Sequence, residues 1–404
     1  MLQQHSTRPT ICLAMIVKNE ETNLMEWLPQ ARRFLDELVV VDTGSQDGTV
    51  PLLLSLDAHV LQQAWADDFA LHRNYGLDQV KSDWILILDA DERLSPEGWR
   101  MLAGLIHNPK VLAYAFDIKN YHSQNDLSSF DTMQSFRLFR NGFNIRYEGL
   151  VHNQLAESID RATNSSGLSI ERAPITIEHF GYALSPKGMR AKQHRIYSMV
   201  KKQLRLTPDD AYYQHHLLNI CLAMGKFDEA HATIKRLDFE KLRPELRVQA
   251  YYKASQVALH DNSFRESRAF VHKALAITPD ASFLHYLRSN IMYQMHRYDE
   301  GIRAACKALE LASKGSTEEN VLHLPLDECY YNVGMGYLLK SEYDTAIELL
   351  SKALEYNPHN TMVLQYIEWL KSHQVNAKSE QTPAHRSNQQ SIPATIQEAV
   401  PELR

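Results

Sequence analysis

A run of five apolar residues, Trp84 to Leu88, leads directly into Asp89-Ala90-Asp91-Glu92 and limits the fold more than any other stretch of the chain. An unbroken apolar run of this kind is typical of a strand buried on both faces in a parallel sheet. Ligands of open α/β sheets bind beyond the carboxyl ends of the strands. Two carboxylates there predict a divalent-cation site that holds phosphate oxygens. The alternative is an acidic turn that caps the next helix.

Two further apolar runs, at 11–17 and 38–41, are also followed by acidic residues, Glu20 and Asp42. Apolar residues at helical spacing between them predict a helix from about Thr22 to Leu35. The alternation of strands and helices predicts a parallel sheet with helices on both faces, whose acidic strand ends meet at one edge. Because no G-x-G-x-x-G or Walker lysine motif follows the first strand, the dinucleotide-binding and P-loop classes lose support.

The composition excludes several other classes. The 404 residues carry a formal net charge of -6, so no basic surface favours nucleic acid as a partner. Four scattered cysteines predict reduced thiols in a cytoplasmic protein, and neither a disulfide framework nor a zinc site. The polar start lacks the apolar core of a signal peptide, and no stretch approaches the roughly 20 apolar residues of a transmembrane segment.

The second half of the chain contains an internal repeat. Similar segments carry an aromatic residue at 227, 264, 298 and 343, so the spacings are 37, 34 and 45 residues. A period of about 34 residues is that of tetratricopeptide repeats, whose helix pairs stack into a solenoid with a concave face. That face could hold a protein on which the first domain acts or another chain, such as a second copy in a homodimer, or the repeats could be a passive extension.

These patterns divide the chain into four parts. We predict an α/β catalytic domain at residues 10–185, a linking helix at 186–209 and about four repeats at 210–371. Residues 372–404 are rich in Gln, Ser, Ala, Pro and Glu, and we predict that they are disordered.

Several motifs resemble those of the family 2 glycosyltransferases, which have the GT-A fold. The segments that carry this resemblance are Ile16–Glu21, Val39–Thr49 and Asp89–Glu92. Three more segments are similar to a branch in which this domain is fused to tetratricopeptide repeats and which includes enzymes that glycosylate peptides: Trp65–Phe69, Arg73-Asn74 and Tyr147–His152. The resemblance covers 10–185 for the enzyme and 190–370 for the repeats.

The resemblance implies a binding site for a nucleotide-sugar. Val17 and Glu20 would line the base and ribose pocket, and Asp42 would meet the uracil or the ribose. Arg73 would reach the diphosphate or the ribose, and Asp89 would belong to the same site. The alternative for Arg73 is a surface ion pair with Asp67 or Asp68.

The resemblance also implies a Mg²⁺ or Mn²⁺ ion. Asp89 and Asp91 would form the D-x-D motif, with Asp91 the better direct ligand, and His179 would complete the metal shell. With Arg73, the ion would stabilise the departing nucleoside diphosphate.

Inverting transfer also needs a base that takes the acceptor's proton. The candidates are Glu148 and His152. In the related branch a glutamate often follows the histidine, but here Asn153 follows His152, so the resemblance does not identify the base.

The sequence therefore predicts a metal-dependent glycosyltransferase that moves a sugar with inversion from a UDP-linked donor to a peptide or protein. One alternative keeps this chemistry and replaces the acceptor by a lipopolysaccharide or lipid-linked glycan. The other is a non-catalytic tetratricopeptide scaffold.

Overall fold

The computed structural model describes residues 8–121, 130–151, 155–181, 186–314 and 324–379. The chain forms two compact units, the first up to Tyr213 and the second from Gln214. The first unit is an α/β domain built on a mixed sheet, and the second is a helical solenoid. The predicted fold class is confirmed.

The first unit alternates strands and helices and then adds a long antiparallel region. Its strands are β1 (Ile11–Val17), β2 (Glu37–Asp42), β3 (His59–Gln62), β4 (Trp84–Ile87), β5 (Glu92–Leu94), β6 (Val111–Tyr121), β7 (Phe130–Arg140) and β8 (Ser169–His179). Its helices are α1 (Glu21–Ala31), α2 (Thr49–Ser55), α3 (Phe69–Leu77), α4 (Pro96–Leu105), α5 (Ala156–Ser166) and α6 (Pro186–Leu206).

All eight strands belong to one sheet with the order β3-β2-β1-β4-β7-β6-β8-β5. Strands β1 to β4 are mutually parallel, and β7 joins β4 in the antiparallel sense. Val17 is opposite Asp42 in the register of β1 and β2. The carboxyl ends of β1, β2 and β4 therefore lie at one edge, as the alternation predicts.

Strand β1 is buried on both faces. Leu13 and Met15 belong to one apolar cluster, whereas Cys12 and Ala14 belong to the cluster on the other face. This double burial explains why the central strands are continuous apolar runs instead of alternating patterns.

Helix α1 is shorter than the sequence predicts. It ends at Ala31 and continues only as a 3-10 turn, Arg32–Phe34. The Arg32 side chain donates to the carbonyls of Leu35 (2.8 Å) and Leu56 (2.7 Å) and so stabilises the exit from the helix. The prediction that the helix reaches Leu35 is wrong because these tertiary contacts outweigh helical periodicity.

The second unit stacks pairs of helices. They are α7 (Ala211–Ala223), which begins in the first unit, α8 (Phe227–Arg236), α9 (Pro244–His260), α10 (Phe264–Ile277), α11 (Ser282–Gln294), α12 (Tyr298–Ser313), α13 (Leu326–Leu339), α14 (Tyr343–Tyr356) and α15 (Thr361–Ser379). Each repeat aromatic is the first residue of the second helix of its pair. Helix α15 extends past residue 372, where we predict the tail to begin, and the domain boundaries stay predictions.

The first helices of successive pairs contact each other directly. The Tyr293 hydroxyl of α11 donates to the Asn332 carbonyl of α13 (3.1 Å), and the Asn332 amide donates to the Ser289 hydroxyl (2.7 Å). Helices on the inner side of a curved stack come closest together, so we assign the first helices to the concave face. In the part of the chain that the structure describes, no helix combines the length and the apolar character needed to cross a bilayer.

Candidate functional site

The loops that follow β1 and β2 are bonded to each other. The Asn19 amide donates to the Ser45 hydroxyl (2.8 Å), and the Gln46 amide donates back to Asn19 Oδ1 (2.7 Å). The Gly48 amide donates to Glu21 Oε2 (2.9 Å), and a Cβ on Gly48 would lie 2.1 Å from Glu21 Oε1. Asn19, Glu21 and Ser45 therefore hold the two loops together at the edge of the sheet.

Val17 and Asp42 lie at this edge and hold the loop that follows β2. The Asp42 carboxylate, which is 2% exposed, accepts from the backbone amides of Gly44 and Ser45, each at 3.1 Å. The Val17 carbonyl accepts from the amide (3.0 Å) and the hydroxyl (3.1 Å) of Thr43. Both residues have a structural role, and their predicted contact with a nucleotide stays a prediction.

The carboxylate of Glu20 lies close enough to the D-x-D motif to interact with its charges. Burial raises its pKa, and the bond that its carboxylate accepts from Asn23 (2.7 Å) only partly offsets this. The negative charges of Asp91 and Asp89 raise the pKa further. The structure therefore brings Glu20 into the same electrostatic environment as the two aspartates.

Arg73 reaches over from α3 to the end of β4. One guanidinium nitrogen bonds Asp89 Oδ1 at 2.7 Å, and another lies 3.4 Å from the Tyr147 hydroxyl. Burial opposes the guanidinium charge, but Asp89 outweighs it and the pKa of Arg73 rises. Burial likewise opposes ionisation of Asp89, and the charges of Arg73 and Arg137 outweigh it, so the pKa of Asp89 is lowered.

The alternative partners of Arg73 are engaged elsewhere. Asp68 caps α3 by accepting from the Leu71 amide (2.9 Å), and Asp67 accepts from the Trp65 ring nitrogen (2.7 Å). The surface ion pair that sequence reasoning allowed for Arg73 is therefore not formed with either residue.

A second ion pair, between Glu92 and Arg137, lies next to the Arg73–Asp89 pair, and the sequence did not predict it. Glu92, which is 2% exposed, accepts from Arg137 of β7 at 2.6 Å and from the Asp89 amide at 2.9 Å. Burial raises the pKa of Glu92 even though Arg137 lowers it. The pair fixes the backbone from which Asp89 and Asp91 project.

Asp91 faces His179 across this edge. Asp91 Oδ1 is 3.5 Å from His179 Nε2, and His179 Nδ1 bonds Asn120 Oδ1 at 2.6 Å. Since an amide oxygen only accepts, Nδ1 carries a proton, and in the neutral ring Nε2 would present a lone pair to Asp91. Burial opposes the charged ring, but Asp91 outweighs it and raises the pKa of His179.

Two facing acceptors need a positive centre between them, either a proton or a cation. The side chains of Asp91 and His179 fit Mg²⁺ or Mn²⁺, which accept oxygen and imidazole ligands and keep other positions for water and phosphate. Gly181 lies against both groups, because its Cβ would be 2.3 Å from Asp91 Oδ2 and 2.4 Å from His179 Nε2.

The predicted three-residue metal shell is only partly brought together. Asp91 and His179 are neighbours, whereas Asp89 is turned to Arg73. Within the described ranges, no group of three His, Cys, Asp or Glu side chains is placed to hold a metal ion. The structure thus brings together a pair of candidate ligands, with phosphate oxygens needed to complete the shell.

The candidate bases lie in the segment that follows β7. Glu148 is exposed and forms an ion pair with Arg161 of α5, and His152 lies outside the described residues. The neighbouring Tyr147 is clamped by Asn74, which donates to its carbonyl and accepts from its amide, each at 2.9 Å. This clamp physically joins two of the motifs that carry the family resemblance.

Comparison with known proteins agrees with the geometry. Residues 12–155 match the model of glycosyl transferase family 2, and residues 327–360 match a tetratricopeptide repeat model. A TPR repeat-containing protein of Synechococcus elongatus is 30% identical over 242 residues, which are 59% of each chain. The SPbeta prophage-derived glycosyltransferase SunS of Bacillus subtilis is 26% identical over 51% of this chain and 48% of its own.

A further match is shorter. An uncharacterized glycosyltransferase of Rickettsia typhi is 34% identical over 83 residues, which are 20% of this chain and 28% of the relative. The chain spans between about half and three fifths of the length of the two longer-matching relatives. The chain therefore joins a segment that matches glycosyl transferase family 2 to a segment that matches a tetratricopeptide repeat.

Proposed function

We propose that the chain is a metal-dependent glycosyltransferase that moves a sugar with inversion from a UDP-linked nucleotide-sugar to a peptide or protein. The observation that carries the proposal is the facing pair of Asp91 and His179, with Gly181 packed against both. It lies at the sheet edge where the carboxyl ends of β1, β2 and β4 meet. A nucleotide-sugar brings the diphosphate that such a pair and a divalent cation would share.

Each charged residue then has a role in holding the donor. Asp91 and His179 would hold the cation, and Asn120 orients the His179 ring so that Nε2 faces outward. The bound cation would supply positive charge to the departing diphosphate. Arg73 fixes Asp89 and places a permanent positive charge at the same edge, where it stabilises the leaving group.

Glu20 and Asp42 would recognise the nucleoside beyond the diphosphate. Asp42 is fixed by two backbone amides, so a contact with the base or ribose needs no reordering of its side chain. Glu20 lies on the first loop, which is bonded to the second through Thr49. Both are preorganised groups of the kind that favours binding specificity.

We propose two residues, Glu148 and His152, as candidates for the general base. Glu148 is an exposed carboxylate that forms an ion pair with Arg161, and a carboxylate is a group that can accept the acceptor's proton. His152 is the other candidate, because histidine is a common general base near neutral pH. Substituting Glu148 by Gln separates them, because transfer should fall by about 100-fold or more if Glu148 is the base.

The repeats would bind the acceptor polypeptide. Each first helix carries an aromatic or histidine ring twelve residues before its repeat aromatic: His215, Tyr252, Tyr286 and Tyr331. Four residues after each ring, the same helix carries Asn219, Gln256, Asn290 and Met335, respectively. Residues four apart share one helix face. Asn219 bonds His215 (3.0 Å), and Gln256 donates to the Tyr252 hydroxyl (3.4 Å).

This ring-and-amide row repeats on three successive first helices. Carboxamides both donate and accept hydrogen bonds, as a peptide backbone requires, and aromatic rings offer it apolar contact. His215, Asn290 and Tyr331 are buried, so the half-buried members of the row would make these contacts: Tyr252, Tyr286, Asn219 and Gln256. We therefore propose an extended peptide as the occupant of the concave face. A second copy of the chain is the alternative occupant, and cytoplasmic location stays a prediction from the cysteines.

A donor screen tests the reaction. Purified protein is incubated with labelled nucleotide-sugars and Mn²⁺, Mg²⁺ or EDTA, and the released nucleoside diphosphate is measured. We expect metal-dependent release from a UDP-sugar that is lost in Asp91→Asn. If no nucleoside diphosphate is released or bound under any condition, the enzyme proposal is wrong and a scaffold role remains.

The acceptor is tested with a cell extract. Label that enters protein supports the proposal, and label that enters glycolipid supports the lipid-linked alternative. The double variant Asn219→Leu, Gln256→Leu should lose transfer to protein and keep donor hydrolysis. Arg268→Leu, on an exposed position of the second helix α10, is the matched control and should change neither activity.

A further inference from the structure

Helix α6 contributes a positive charge to the candidate site. Lys192, in the second turn of α6, donates from Nζ to the Gly181 carbonyl at 3.1 Å. Gly181 is the residue whose backbone lies against Asp91 and His179. The ammonium group therefore lies beside the same carboxylate–imidazole pair, although Lys192 is more than 100 residues from Asp91 in the sequence.

The electrostatics of Lys192 agree with this position. Burial lowers its pKa, and the charge of Arg195 adds to this, while Asp91 and Asp89 act in the opposite direction. Both aspartates of the D-x-D motif are thus close enough to act on the ammonium group. A lysine ammonium group can bind phosphate as a point charge.

The other cations of the site are directed at particular acids. Arg73 bonds Asp89, and Arg137 bonds the buried Glu92. Lys192 bonds the carbonyl of Gly181, the residue that is packed against Asp91 and His179. A side chain at Gly181 would collide with Asp91 and His179, so the glycine allows the carbonyl that Lys192 bonds to lie against both groups.

We infer that Lys192 contacts the diphosphate of the donor and stabilises the charge that develops on it during transfer. This inference depends on the proposed function. In the reaction, the bond between the anomeric carbon and the diphosphate oxygen breaks, and its electron pair stays on that oxygen. The acceptor atom forms the new bond to the anomeric carbon, and its proton goes to the base. Lys192 keeps its own proton and acts by charge and hydrogen bonding.

The test compares nucleoside diphosphate and nucleoside binding by calorimetry in the full-length protein with Mn²⁺. The variants are Lys192→Met, Lys192→Arg and, as a control on an exposed position of the same helix, Lys202→Met. We expect Lys192→Met to weaken UDP binding by about tenfold to 100-fold and to leave uridine binding unchanged, because one charge-assisted bond to phosphate is lost. Lys192→Arg should recover part of the affinity, and Lys202→Met should match the wild type.

Each other result has a definite meaning. Equal UDP affinity in Lys192→Met and wild type would overturn the role of Lys192 and leave the proposed function intact. An equal loss of UDP and uridine binding, which Lys192→Arg does not recover, would show that Lys192 only supports the fold near Gly181 and would also overturn the inference. If the wild-type protein binds no nucleoside diphosphate, with UDP, GDP and ADP all tested, the proposed function itself fails.

Discussion

Removing Arg137 should destabilise the first unit strongly, because it would leave Glu92 buried without a counter-ion. Glu92 is 2% exposed and its partner, Arg137, is 12% exposed. Breaking a buried ion pair by removing one member costs about 3–5 kcal/mol. For a unit of this size, each kcal/mol lowers the unfolding midpoint by about 2–4 °C. We therefore expect Arg137→Met to lower the midpoint by roughly 6–20 °C.

The loss should grow with pH. Burial raises the pKa of Glu92 in the folded state, and removing Arg137 raises it further. Between the unfolded and the folded pKa, the folded state binds more protons than the unfolded state, so the free energy of unfolding falls as pH rises. The loss of unfolding free energy in Arg137→Met relative to the wild type should therefore be larger at pH 8 than at pH 5. At pH 5, Glu92 can bind a proton and no longer carries an uncompensated buried charge.

Tryptophan fluorescence can follow this unit selectively. Trp27, Trp65, Trp84 and Trp99 lie in the first unit, whereas Trp369 lies in the second. In a Trp369→Phe background the signal reports the first unit alone. The double variant Glu92→Gln, Arg137→Met should recover most of the midpoint, since a neutral amide can still accept from the Asp89 amide.

Two results would refute this reasoning. One is a midpoint of Arg137→Met within about 2 °C of the wild type at pH 8. The other is a deficit that is the same at both pH values, or that Glu92→Gln does not relieve. Either result would mean that the buried charge does not control the stability of this part of the sheet.

Three further predictions concern the site itself. Asp91→Asn should reduce metal-dependent release of nucleoside diphosphate by about 100-fold or more with an unchanged unfolding midpoint; near-normal release would remove Asp91 from metal binding. Gly181→Ala should raise the Mn²⁺ concentration needed for half-maximal release, because its Cβ would collide with Asp91 and His179. Gly104→Ala in α4, where a Cβ meets nothing within 4 Å, is the control and should stabilise the helix by about 0.5–1 kcal/mol. Asn74→Leu should cost about 1–3 kcal/mol of unfolding free energy, because the Tyr147 amide and carbonyl lose their partner; an unchanged urea midpoint would show that the clamp is dispensable.

The first half of the sheet could be predicted from the sequence because its signals are local. Strands β1, β2 and β4 are continuous apolar runs, and each is followed within three residues by an acid or ends in one. Parallel alternation then brings Glu20, Asp42 and Asp89 to one edge. The repeat aromatics were equally readable, since a fixed period needs no knowledge of contacts.

The pairing of charges within the site could not be predicted in the same way. Arg137 meets Glu92 only because β7 enters the sheet next to β4, and Asn120 meets His179 only because β6 and β8 are neighbours. These partners are 45 and 59 residues apart, and nothing in either local pattern selects them. An arginine on an alternating strand and an asparagine at a strand end were the available signals, and both fit a solvent-exposed position equally well.

The first unit extends past its last strand, β8, to Tyr213. Beyond β8, Lys192 reaches the Gly181 carbonyl, Gln203 accepts from the Leu150 amide (3.1 Å), and the Tyr213 hydroxyl occupies the space that a side chain on Gly149 would need. A fragment trimmed at residue 185 would lose all three anchors at once. A fragment of the first unit for crystallisation or engineering should keep the chain through Ala223, the end of α7, because α6 and the start of α7 hold residues of the α/β domain in place.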